Sequence, residues 1–209
     1  MVKNIGDKSL FEMLWQSAVN LRGALEPGEY KHPVLGLLFL KYVSDSFVEM
    51  QTKLEEWTAD PNNEDYYEED EADRLDIIND RDEYNAENVF WVPENARWEY
   101  VAKQAKDTNI AKILDEAMGE IEKANPKVKN LLYRGFSLLK LPPAKFGELI
   151  ELFSKIGFNS KDHKSADVLG QAYEYFLGKF ALAEGKGAGA FYIMSPSFLP
   201  NECHLEIAA

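Results

Sequence analysis

The stretch VLGLLFLKYVSDSFVEM, residues 34–50, is apolar on nearly every side of a helical wheel. A helix with one apolar stripe can lie on a surface, but a helix that is apolar all round must be enclosed by other elements. Pro33, just ahead of it, suits the first turn of a helix, where its missing N–H breaks no bond. The chain is therefore expected to build itself around this segment. Its 209 residues, 45% of them hydrophobic and twelve of them phenylalanine, are enough for a sizeable core.

Helical spacing continues on both sides. Ser9 and Glu12 form a capping box ahead of Leu10, Phe11, Leu14, Trp15, Ala18 and Val19, and Gly23 with Pro27-Gly28 closes that helix. NVFWVPENARWEYVAK, residues 88–103, joins a short β-prone aromatic run to Pro93 and a helix start near Asn95. Thr108 opens a helix with Ile110, Ile113, Leu114, Ala117 and Ile121 on one face, and Asn125-Pro126 ends it. Pro142 and Pro143 introduce another, with Phe146, Leu149, Ile150 and Phe153 at helical intervals. Ser165 or Asp167 caps a last helix whose stripe is Leu169, Ala172, Tyr173, Phe176 and Phe180. With roughly six helices and almost no alternating pattern, the expected class is all-α, a multi-helix bundle.

Charge is concentrated in one segment. Residues 55–99 hold 17 Asp and Glu against 3 Arg, a net of −14, whereas the rest of the chain holds 19 acidic against 20 basic, a net of +1. EDYYEEDEADRLDIINDRDE, residues 64–83, would repel a phosphate backbone, because nucleic-acid affinity rests on Lys and Arg displacing counterions. It reads as a solvated, mobile excursion between helices. A docking surface for a basic partner and a mimic of DNA phosphates are the sharper readings.

No catalytic constellation stands out. Three glycines, Gly185, Gly187 and Gly189, follow FALAE, but the spacing fits neither a Walker loop nor a dinucleotide fingerprint, and a helix C-cap with a flexible exit accounts for them. His32, His163 and His204 lie far apart and form no ligand pair, so no metal is expected. Ser17, Ser44 and Ser46 lack a nucleophile elbow. The acidic run, being exposed, offers no burial to raise a carboxyl pKa for general acid work. Tyr173, Tyr175, Phe176 and Phe180 could stack on bases, although their spacing favours a core role. No apolar run approaches the roughly 18 residues of a membrane span, and MVKNIGDKSL lacks a signal peptide's apolar stretch. With Cys203 as its single cysteine, the chain is expected to be cytoplasmic and away from membranes.

LWQSAVNLRGALEPGEYKHPVLGLLFLKYVSDSF (14–47), FWVPENARW (90–98) and DVLGQAYEYFLGKFALAEGKGAGAFY (167–192), in this order, resemble the N-terminal part of the modification subunit of type I restriction-modification systems. The likeness implies a subunit that transfers a methyl group from S-adenosylmethionine to the exocyclic amino group of adenine in duplex DNA. It implies a helical N-terminal domain ahead of a Rossmann-like catalytic domain that is missing here. The implied partners are a specificity subunit, a second modification subunit, a restriction subunit and DNA, with no membrane.

The same resemblance divides the chain into a helical domain at 1–165, containing the acidic excursion 55–99, a helix and glycine-rich linker at 166–192, and an atypical tail at 193–209. Phe191 and Tyr192 match the start of the family's Phe-Tyr-Thr-Pro segment, which lines the methyl donor, but Ile193 and Met194 stand where Thr-Pro is expected. The family's Asn-Pro-Pro-aromatic loop, which holds the flipped adenine, has no counterpart. By this likeness the chain alone carries no catalytic residue and binds no cofactor, and serves assembly and the embrace of DNA. Two other functions stay open: a free-standing acidic adaptor using residues 64–83, and a short enzyme holding S-adenosylmethionine at 184–192.

Overall fold

The computed structural model describes residues 27–155 and 174–180, together with Glu12, Trp15, Val19 and Ala172. Its regular elements among these are all helical: α1 (Pro27–Ala59), α2 (Glu71–Ile78), α3 (Arg81–Ala86), α4 (Trp98–Lys103), α5 (Ile110–Ala124) and α6 (Pro143–Phe153). Three 3-10 turns, Glu94–Ala96, Pro126–Val128 and Phe136–Leu138, lie in the connections.

The 33 residues of α1 make it about 50 Å long, and its middle, residues 34–50, is the largely enclosed rod that its sequence demands. Val34, Leu37, Leu38, Leu40 and Leu54 have no exposed surface. Against α1 pack α2, α4 and α6, while α5 packs against α4, α6 and all three 3-10 turns. The expected position of Pro33 needs correction. The helix starts at Pro27, which takes the first turn, and Pro33 lies inside it. An interior proline costs about 3 kcal/mol, but each buried aliphatic side chain returns about 1.5–3 kcal/mol, and Val34, Leu35, Leu37 and Leu38 are all buried just beyond it.

Other boundaries shift for local reasons. The helix expected near Asn95 is a single 3-10 turn there and becomes α-helical only at Trp98. Thr108 does not cap α5; Asn109 takes the cap position, and its N–H donates to the Asp107 carboxylate at 2.7 Å. Asn125 ends α5 and Pro143 starts α6 as expected. At Gly147 a Cβ would stand 2.6 Å from the Ala105 carbonyl oxygen, so glycine is what lets α6 approach the chain just after α4.

The acidic excursion is folded. Asp70 and Asp80 cap α2 and α3, accepting bonds from the N–H groups of Ala72, Asp73 and Asp82. An aspartate run is also a run of good N-caps, and negative charge in a first turn is favourable. The carboxylates remain mostly exposed, as a solvated face requires.

From the outer stripes, Trp15, Ala172, Phe176 and Phe180 are buried in the common core, and Trp15 meets Phe180 edge-on at 5.0 Å. Ser9, Gly23, Ser165, Asp167, Leu169 and Tyr173 lie outside the described residues. No described helix is long and apolar enough to cross a membrane.

Candidate functional site

Two charged regions stand at different levels of α1, and the site is best understood from how each is held. The first is the acidic arm, residues 60–87. Tyr84 stacks on Phe47 of α1 at 4.7 Å, and Trp91 meets both rings edge-on at 5.1 and 5.2 Å. The Tyr84 hydroxyl donates to the Ile78 carbonyl, and burial pushes its phenol up to about 12, with Arg97 nearby working against the rise. Trp57 on the last turns of α1 meets Tyr66 at 5.2 Å. The three arginines of the acidic segment are engaged with the protein itself. Arg81 lies over Trp91, Arg97 over Phe47, and Arg74 donates to the Glu69 carbonyl. The outer surface is left to carboxylates.

The β-prone aromatic run that follows pairs with a side chain and forms no strand. The Asn125 carboxamide accepts from the Trp91 N–H at 3.0 Å and donates to the Trp91 carbonyl at 2.9 Å, the reciprocal pattern of a neighbouring strand. It also donates to the Ile121 carbonyl, so all of this buried amide's strong interactions bind the arm's exit to the end of α5. Trp98 plays a similar part between α1 and α6: its N–H donates to Ser44 Oγ and its indole N–H to Ser154 Oγ. Ser44 is thus structural, in line with its lack of a nucleophile motif. Next to Trp98 on α1, burial lowers the pKa of Lys41, while its partner Asp45 pulls it back.

The second region is a basic strap between α5 and α6. From Asn125 to Gly147 the chain carries Lys127, Lys129, Arg134, Lys140 and Lys145 and no carboxylate. Residues 132–137 run antiparallel along one face of α5, the face shared by Asp115, Gly119 and Glu122. Leu132 N–H donates to Glu122 at 2.9 Å, and the Arg134 guanidinium lies over Gly119, where a Cβ would stand 3.2 Å from it. Phe136 N–H and Ser137 N–H donate to the two oxygens of Asp115, both at 2.9 Å. Phe136 is fully buried and reaches Gly36 of α1, where a Cβ would meet its ring at 3.1 Å. Tyr133 stacks on His32 at 6.0 Å and meets Phe136 edge-on.

Sequence reasoning did not single out this strap. Its signal was a tract of 23 residues lacking acid in a chain with 36 acidic residues. Phe191 and Tyr192, named as partial cofactor contacts, lie outside the described residues, as do Gly185, Gly187, Gly189, His163, His204 and Cys203. Among the described residues no group of three or more His, Cys, Asp or Glu could hold a metal ion. Phe176 and Phe180 are buried, so the core reading of that aromatic stripe holds for them.

The profile of the HsdM N-terminal domain matches residues 10–172, most of the chain. The chain belongs to that family. Beyond this HsdM N-terminal region, a profile of N-6 DNA Methylase matches residues 164–197, five residues past Tyr192. The chain is 38% identical over 180 residues to the type I restriction enzyme MjaIX methylase subunit of Methanocaldococcus jannaschii, covering 86% of this chain and 32% of that protein. To the HindI methylase subunit of Haemophilus influenzae it is 32% identical, over 48% of this chain and 27% of the relative. It spans about a third of the length of these relatives. A solved type I restriction-modification methyltransferase subunit from Streptococcus thermophilus shares the fold with a TM-score of 0.57 at 24% identity, over 90% of this chain and 41% of that one.

Proposed function

We propose that this chain is the assembly and DNA-embracing N-terminal part of an adenine-specific DNA methyltransferase subunit. The observation that carries the reading is the order of the two family matches, in which the HsdM N-terminal domain at 10–172 runs directly into a match to N-6 DNA Methylase at 164–197. A helical body that leads straight into a catalytic domain is placed to position it.

The whole subunit would transfer methyl from S-adenosylmethionine to the adenine amino group, with Phe191 and Tyr192 at the edge of the methyl-donor site. This chain alone is expected to be inactive and to bind no cofactor, because its sequence has no counterpart of the Asn-Pro-Pro-aromatic loop. Its partners would be a specificity subunit, a second modification subunit, a restriction subunit and duplex DNA, all in the cytoplasm. Residues 1–165 would form the docking body, 166–192 the link to catalysis, and 193–209 a tail whose first five residues the methylase profile still matches.

The reading is tested by mixing the purified chain with the specificity subunit at micromolar concentration and following a joint peak by size-exclusion chromatography with light scattering. A stable complex is expected. Two separate peaks would overturn the assembly role.

A further inference from the structure

The strap contains charge that the fold does not consume. Lys127, Lys129 and Lys140 are exposed, and among the described residues none of them makes an ion pair. The two carboxylates that α5 turns toward the strap are occupied: Glu122 is buried, holding Leu132 N–H with Arg134 at 3.6 Å, and Asp115 accepts from Phe136 and Ser137. Lys145 is paired with Glu148 and contributes little net charge. The backbone bearing the three free lysines is set by Asn130 in the left-handed region at φ 63°, by the Asp115 and Glu122 bonds, and by Pro142. Between them Leu138 is 83% exposed, the most exposed of the large hydrophobic side chains among the described residues.

The middle of the strap is seated away from the acidic arm, although its start at Asn125 is bonded to Trp91 at the arm's exit. The strap packs at the level of His32 and Gly36, the arm at Phe47 and Trp57. Along α1 that separates Tyr133 and Phe136 from the arm's contacts by about 16 to 38 Å, against a screening length of about 8 Å in physiological salt. The strap is thus a stretch of basic residues with no carboxylate of its own, and the arm a region that a polyanion avoids.

We propose that the strap contacts the sugar–phosphate backbone of duplex DNA, with Lys127, Lys129 and Lys140 on phosphates and Leu138 against sugar; this rests on the DNA-linked role proposed above. Lysine ammoniums are point charges with no planar fork, and the one arginine here is held by Glu122 and packed over Gly119. Such a surface positions DNA without reading its sequence.

The test uses the whole chain and a short mixed-sequence duplex, with binding followed by fluorescence anisotropy across a salt series. The wild type should bind at low salt. A Lys127→Gln/Lys129→Gln/Lys140→Gln variant should lose affinity, and its slope of log K against log salt should be shallower by about 2.7, from about 0.9 for each of three phosphates. An unchanged melting temperature will show that the exposed substitutions left the fold intact. Asp73→Asn/Asp76→Asn/Asp82→Asn on the arm should leave the slope as it is. No wild-type binding at low salt, or an unchanged slope in the lysine variant, overturns the assignment. If specificity-subunit association survives in that case, the assembly reading stands alone. If the lysine variant loses that association and keeps its DNA slope, the strap docks protein, which also overturns the DNA contact.

Discussion

Residues 60–87 hold themselves largely through bonds to near neighbours, with Asp60 accepting from Asn62, Asp70 from Ala72, Asp80 from Asp82, and Asn79 donating to Leu75. Residues 132–137 are fixed instead by bonds reaching back 10 to 22 positions, to Glu122 and Asp115. The arm spends its carboxylates on capping its own helices and leaves the remainder in water. The strap's lysines take no part in holding it, because carboxylates and backbone elsewhere do so. Charge in the arm serves local structure, whereas three lysines of the strap make no ion pair among the described residues.

This contrast can be broken at the strap's anchor. Phe136→Ala should destabilise the chain by about 3–5 kcal/mol, the usual cost of emptying a buried aromatic site, seen as a lower urea midpoint with an unchanged m value. A cost below about 1 kcal/mol would mean that the strap is not fixed through the core.

Asn125→Ala tests the joint between the two regions. It strands the Trp91 N–H and carbonyl and should cost about 1–3 kcal/mol. Amide exchange should quicken at Trp91, while the Asp115-bonded amides of Phe136 and Ser137 stay protected. Equal loosening of both sides would show that arm and strap are one cooperative unit.

Asp70→Ala removes a cap and should cost about 1 kcal/mol. Because the arm is locally determined, faster exchange should be confined to residues 71–78. Spread into 132–137 would contradict the local account.

The sequence signals divide along the same line. The enclosed segment 34–50, the stripe of Phe146, Leu149, Ile150 and Phe153, and the end of α5 at Asn125 were all readable, because periodicity and helix-stop signals act over a few residues. Asp70 and Asp80 stood in plain view as caps, yet the charge density around them suggested a loop. Pro33 misled because burial further along the same helix outweighs its missing bond. The roles of Asn125, Asp115 and Glu122 were not legible at all: nothing near Asn125 indicates that its amide will replace a strand beside Trp91, 34 positions away. The strap's charge was visible but its position along α5 was not, since Gly119 and Gly36 make room only for a segment brought to them by the fold.

The smallest expected effect lies in the tyrosines, where the two regions differ in cause. Tyr66 in the arm is raised first by its hydrogen bond to Glu83, and Tyr133 in the strap first by burial, with Asp115 adding to it. Tyr84, beneath the arm, goes furthest, to about 12. Its folded value exceeds the unfolded value of about 10, so the fold favours the neutral phenol. The resulting stability is complete below about pH 10 and is lost as pH rises through about 12. In a spectrophotometric titration of the ten tyrosines, one component should ionise last and disappear in Tyr84→Phe. Should Tyr84 ionise together with the exposed tyrosines, the Phe47–Tyr84–Trp91 cluster is open to water and the arm is not seated on α1 as described. A late Tyr84 with a Tyr133 that ionises near the ordinary value would place the fault in the strap instead.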